Sequence, residues 1–249
     1  MNKRDFLKSL AITSATGITS IETLANRLGQ FHDFPADKLA TNEDYWAIIR
    51  SGYKLKGDYI NLENGYYCFL PEQTLNRYLE KIKEINYQGS WYFRTVQWEN
   101  KNKTAARLAQ VFGGSPDELA ITRNTTESLD IIISCYPWQK GDEAIFAHQD
   151  YGSMKNMFEL AARRHGIINK IINVPLHPEN DEEIVKAYEV AITPQTKLIM
   201  LSHMINITGQ ILPVKKISQM AHSYGVEVMV DGAHCIAHFD FKIDELDCD

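Results

Sequence analysis

Asp231 is the residue in this sequence that most needs a chemical partner. It follows the largely apolar run Val226-Glu227-Val228-Met229-Val230 and opens the segment Asp231-Gly232-Ala233-His234. A carboxylate at the end of an apolar strand is costly to bury alone. A protonated pyridine nitrogen is a suitable partner. The carboxylate then keeps the ring cationic, and the ring accepts electron density from a carbanion at a substrate Cα. A helix cap or a metal ligand would be the alternative uses of the same aspartate. Three other loops carry polar groups suited to the same ring. Thr122-Arg123-Asn124-Thr125-Thr126-Glu127 enters a helix with Asn124 and Glu127 at capping-box spacing. Its free N–H groups, positive dipole end and the hydroxyls of Thr125 and Thr126 suit a phosphate. His148-Gln149-Asp150-Tyr151-Gly152 offers Tyr151 for stacking. Ser202-His203-Met204-Ile205-Asn206-Ile207-Thr208-Gly209 offers Asn206 as a donor to a phenolic oxygen. Singly, these loops are equally an ordinary capped helix, a surface aromatic and a turn. Together they supply a phosphate site, a ring stack, a phenolate donor and a ring-nitrogen partner.

The elements that must position these loops alternate between strand and helix. Strands are expected over Glu118–Thr122, Glu143–Ala147, Ile167–Val174, Lys197–Ser202 and Val226–Val230. Helices are expected over Thr125–Ser134, Ser153–His165, Asp181–Ala191 and Val214–Tyr224, with Gly166 and Gly225 as stops. Apolar strands such as Leu198-Ile199-Met200-Leu201 fit burial on both faces. The pattern predicts an α/β fold with a mostly parallel sheet and flanking helices. Ligands in such sheets bind beyond the carboxyl ends of the strands, where all of these loops fall. Upstream, helices are expected over Asn42–Arg50, Pro71–Ile85 and Trp98–Phe112, and a short strand over Tyr59–Leu62. The organisation reads as residues 1–35 signal and linker, 36–110 a helical segment, and 111–249 the ligand-binding domain.

The Asn124-Thr125-Thr126-Glu127 loop, the S-H-x-x-N-x-x-G segment from Ser202 to Gly209 and the D-G-A-H segment from Asp231 to His234 resemble the class V aminotransferase family. The family includes cysteine desulfurases and isopenicillin-N-epimerase-like proteins, and the resemblance runs from about Tyr59 to Asp249. It implies the large domain of a fold type I enzyme that uses pyridoxal 5'-phosphate (PLP) on the Cα or Cβ of an amino acid. By position, Thr125 and Thr126 would hold the phosphate and Tyr151 would stack on the ring, where desulfurases usually have His. Asn206 would bond the ring hydroxyl, Asp231 would pair with the ring nitrogen, and His234 would sit beside the hydroxyl, where desulfurases often have Gln. Those two differences favour the epimerase-like branch. Asn64-Gly65 resembles the segment near the substrate carboxylate. The resemblance also implies a homodimer. The family's Schiff-base lysine follows the aspartate by roughly two dozen residues, whereas 18 residues follow Asp231 here and Lys242 is the lysine among them. Lys242 reads as a surface residue. The chain accordingly reads as a fragment without the catalytic lysine or the small C-terminal domain, inactive by itself. A non-catalytic PLP- or partner-binding paralogue is the alternative, with Tyr66-Tyr67-Cys68-Phe69-Leu70 and Trp91-Tyr92-Phe93 as candidate interface stretches.

Bulk properties narrow the remaining classes. Asp and Glu outnumber Lys and Arg by 32 to 26, for a net charge of −6. An acidic surface without a basic cluster argues against nucleic-acid binding. Cys68, Cys135, Cys235 and Cys248 form no C-x-x-C pair. A zinc enzyme using His234, Cys235 and His238 is a further alternative, since imidazole and thiolate suit zinc. The N-terminus is basic at Lys3-Arg4, and Leu10–Ile21 is mildly apolar. That stretch is too short to span a bilayer. Lys3-Arg4-Asp5-Phe6-Leu7-Lys8 resembles a twin-arginine export signal with Lys for the first Arg. The expectation is a periplasmic or exported protein, with a first helix of a cytoplasmic enzyme as the alternative.

Overall fold

The structure is a computed structural model that describes residues 21–249. The proposed signal up to residue 20 lies outside the described residues. The chain divides into one unit ending at Val96 and a second spanning Gln97–Asp249.

The first unit is helical. It contains α1 (Ile21–Gly29), α2 (Ala36–Ala40), α3 (Glu43–Arg50), α4 (Glu72–Gln88) and α5 (Ser90–Thr95). Phe31 is buried and meets Tyr45 edge-on at 5.5 Å, while Arg27 donates to the Ser51 hydroxyl from α1. Asn42 caps α3 as expected, its Oδ1 accepting the Tyr45 N–H at 2.9 Å. The strand expected over Tyr59–Leu62 does not form. Ile60 and Leu62 are 85% and 91% exposed, and an extended run with no neighbouring strand leaves its backbone groups to water. α5 was not foreseen. It begins directly after Gly89, whose φ of +56° breaks it from α4.

The second unit holds the sheet. After α6 (Gln97–Phe112) come α7 (Thr125–Cys135), β1 (Glu143–Ala147), α8 (Gly152–His165), β2 (Ile168–Ile172), α9 (Asp181–Glu189), β3 (Thr196–Ser202), α10 (Val214–Ser223) and β4 (Glu227–Asp231). The strands lie in the order β2-β1-β3-β4, every pair parallel. The strand expected over Glu118–Thr122 is absent. Its start is a 3-10 turn, Pro116–Glu118, closed by a capping box from Ser115. The residues that follow pair with no strand among those described, so their β-forming character goes unused.

The strand pleat explains the two cores. Ala144 and Phe146 of β1 face Leu129 and Ile133 of α7 and Met154, Phe158 and Ala161 of α8. Ile145 and Ala147 face the other way, with Ile184 and Tyr188 of α9 and Ile217 and Ala221 of α10. Side chains alternate across a strand, so an apolar strand covered on both faces must be apolar throughout. Helices on each face of a parallel sheet put the strand ends, and the loops that follow them, at one edge of the layer.

Candidate cofactor site

The carboxyl ends of β1, β3 and β4 form the floor of this site. Ser202 and Asp231 are register partners, the last residues of adjacent strands. The next residue, His203, donates its N–H to the Asp231 carbonyl at 2.9 Å and accepts from the Leu212 N–H at 2.9 Å. The Asp231 side chain is buried, and its Oδ1 accepts the Ala233 N–H at 3.0 Å. Burial pushes its carboxyl above the ordinary value, while the Ala233 N–H and the nearby His234 imidazole pull it back down. Ala233 provides the one hydrogen bond to this carboxylate among the described residues. That leaves a buried anion under-provided for, the situation a cationic ring nitrogen would relieve.

Around Asp231 the loops take the following places. His234 lies half-buried in the turn after it. Asn206 sits with Ile207 and Thr208 in a tight turn that folds back through the antiparallel bridge between Met204 and Ile211. The turn closes when the Gly209 N–H reaches the Ile205 carbonyl at 2.8 Å, and Gly209 has a φ of +71°, a conformation glycine adopts freely. Asn206 is exposed in this turn, at the same edge of the sheet as Asp231.

Tyr151 begins α8 at the end of β1 and packs against the core cluster beneath α7 and α8. Thr125 and Thr126 form the first turn of α7. Asn124 caps it by accepting the Glu127 N–H at 2.9 Å, and Glu127 accepts the Arg123 N–H at 2.8 Å, one residue earlier than a standard capping box. Tyr136, just past the other end of α7, donates to the Lys197 carbonyl near the start of β3. The C-terminal end of α7 therefore lies beside the start of β3.

The aminotransferase class-V family model matches residues 70–249, well over half of the chain. The chain belongs to this family. It is 29% identical over 208 residues to isopenicillin N epimerase of Amycolatopsis lactamdurans, covering 82% of this chain and 52% of the relative. It is 32% identical to the Streptomyces clavuligerus epimerase, covering 57% and 36% respectively. To cysteine desulfurase CsdA of Escherichia coli it is 31% identical, covering 62% and 38%. Among solved structures, the cystine C–S lyase C-DES superposes with a TM-score of 0.66 at 24% identity, covering 74% of this chain and 50% of that one. The class-V chain thus spans about half or less of the length of these relatives. The sheet and flanking helices are those of fold type I.

The family's cofactor fits the residues present. Asp231 supplies a buried, under-provided carboxylate, and the first turn of α7 supplies N–H groups and two hydroxyls. Asn64 and Gly65 lie in the first unit, where Asn64 Oδ1 accepts the Phe69 N–H and Gly65 donates to Glu63. Lys242 is exposed as expected, and its Nζ caps the end of α6 by donating to the Val111 carbonyl at 3.1 Å. The zinc alternative is not assembled. Cys235 is buried with its thiol turned to the Gly232 carbonyl, His238 is exposed, and no group of three such ligands converges among the described residues.

Sequence reasoning passed over Asp150 and Ser202. Asp150 is 3% exposed and accepts the Ala147 N–H at 2.6 Å, the Ser202 N–H at 3.1 Å and the Ser202 hydroxyl at 2.8 Å. Like Asp231, Asp150 is a carboxylate just beyond an apolar strand. His203 is a further buried polar group. Its ring meets Phe239 and Phe241 edge-on at 5.0 and 4.7 Å, its Nδ1 has no partner among the described residues, and burial lowers its pKa. Burial thus favours its neutral form.

Proposed function

We propose that this chain carries the cofactor-binding face of a pyridoxal-phosphate enzyme acting at Cα or Cβ of an amino acid. The observation that carries the reading is the buried, under-provided Asp231 carboxylate at the carboxyl edge of the sheet. When bound, the cofactor supplies an electron sink for a carbanion at the substrate Cα. The residues of this chain hold and orient it. The Thr125 and Thr126 hydroxyls and the start of α7 receive the phosphate. Tyr151 covers one ring face, and Asn206 and His234 attend the ring hydroxyl. Asp231 keeps a proton on the ring nitrogen, because a buried carboxylate favours a cation beside it.

Tyr151 and His234 support the epimerase-like branch over the desulfurases, with Asn64-Gly65 near the substrate carboxylate. We propose a homodimer, and export on the twin-arginine-like segment at Lys3–Lys8. Among the described residues no helix is long and apolar enough to cross a membrane.

The test follows the substrate Cα–H. The full-length protein is loaded with PLP and offered a panel of amino acids in D2O. Loss of the Cα proton signal from at least one of them, and its slowing by at least tenfold in Asp231→Ala, is expected. Bound cofactor with no exchange from any amino acid would contradict the reading.

A further inference from the structure

Asp150 is buried as deeply as the hydrophobic core, yet it bears a carboxyl group and lies at the site edge. Its carboxylate collects three donors from two strands: the Ala147 N–H of β1, and the N–H and hydroxyl of Ser202 of β3. Its own N–H returns to the Ala147 carbonyl at 3.1 Å, closing the turn after β1. The residue that follows is Tyr151. Ser202 is in register with Asp231 and is followed by His203, which is tied to the Asp231 carbonyl. One side chain thus joins the loop carrying the ring-stacking tyrosine to the strand pair carrying the ring-nitrogen partner.

The donors select a carboxylate. Three hydrogen-bond donors converge on two oxygens. An asparagine would turn its NH2 toward one of these N–H or O–H groups, leaving a donor facing a donor in a dry site. Burial raises the Asp150 carboxyl to about 6 and Asp231 adds to the rise, while the three donors oppose it. Tyr188 of α9 is the other titratable group that feels its charge, and its phenol is held neutral by burial. The anion at Asp150 also adds to the negative potential at the end of β4, where a cationic ring would sit.

We propose that Asp150 is a positioning residue of the cofactor site: its carboxylate bolts the ends of β1 and β3 together and so fixes Tyr151 against the ring position in front of Asp231. This rests on the PLP reading above. Asp150 does not touch the cofactor. It acts through Tyr151 and Ser202.

The experiment titrates PLP into the purified protein and its variants. It reads both the dissociation constant and the circular dichroism induced in the cofactor's visible band, which reports how rigidly the ring is held. Far-UV circular dichroism monitors folding. Asp150→Asn is expected to bind PLP roughly tenfold more weakly or worse and to lose most of the induced signal per bound cofactor. Ser202→Ala removes one donor and keeps the charge, so it should bind within a few fold of wild type with a reduced induced signal. If Asp150→Asn does not fold, the Ser202→Ala signal decides. Wild-type affinity and induced signal in folded Asp150→Asn, or an undiminished signal in Ser202→Ala when the asparagine variant is unfolded, would overturn the proposal. Asp231→Ala separates the two claims. Weakened binding in that variant alone leaves the PLP reading standing without the Asp150 role, and absence of saturable binding in the wild type ends both.

Discussion

Two aspartates illustrate how burial turns a common residue into a specific one. Asp231 and Asp150 each follow an apolar strand, and both carboxyls are pushed above the ordinary value by burial. They differ in provision. Asp231 has one N–H donor, which marks it as open to a ligand, whereas Asp150 has three donors, which marks it as internal structure. The Asp150 shift has a consequence for stability. Between the unfolded carboxylate value near 4 and about 6, the folded protein holds a proton that the unfolded chain has released. Asp150 therefore contributes stability that is full below the unfolded value and is lost as pH rises through about 6. Urea midpoints of the wild type should fall across that window, by a free energy on the order of 2–3 kcal/mol at most. The same plot for Asp150→Asn should be flatter. A wild-type slope equal to that of Asp150→Asn would show that the group does not titrate there. At this scale the burial of Asp231 was legible, because an apolar strand leads directly into it. The sequence was silent on Asp150, because two of its three donors come from Ser202, on a strand 52 residues away.

Elements were legible where their own sequence decided them. α7, α8, α9 and α10 begin and end within a residue or two of the expected positions because caps and glycines act locally. Asn124→Ala should cost about 1 kcal/mol by leaving the Glu127 N–H without its cap, seen as a lower urea midpoint at unchanged slope. Gly166 is a sterner case. It ends α8 at a φ of +74°, and an added Cβ would lie 3.1 Å from Lys140 Cγ. Gly166→Ala should cost roughly 1–2 kcal/mol from the left-handed conformation, and a melting temperature equal to wild type would contradict this. The strands expected over Tyr59–Leu62 and Glu118–Thr122 failed for one shared reason. A strand is completed by the backbone of another strand, and periodicity within a run says nothing about whether that neighbour exists. α5 was missed because six residues rich in aromatics carry too little period to be read.

For the whole molecule, the alternation of strand and helix made the α/β class readable, and the two-sided sheet follows from its apolar strands. Phe146 shows how the layers depend on one another. It is buried in β1 and stacks on Phe158 of α8 at 4.8 Å. Phe146→Ala should cost about 3–5 kcal/mol, and with it the placement of every loop at the carboxyl edge. The division at Val96 keeps all the residues proposed to hold the cofactor within the second unit, while Asn64 and Gly65 belong to the first. This edge is proposed to bind pyridoxal phosphate through Asp231. The most direct measurement compares PLP titrations of the wild type and Asp231→Ala, followed by the circular dichroism induced in the cofactor band. Saturable binding at one cofactor per chain is expected, weakened at least tenfold by the substitution, since a buried charge-assisted contact is lost. Equal binding and equal induced signal in both proteins would mean that the cofactor is taken up by scattered surface lysines and not at Asp231.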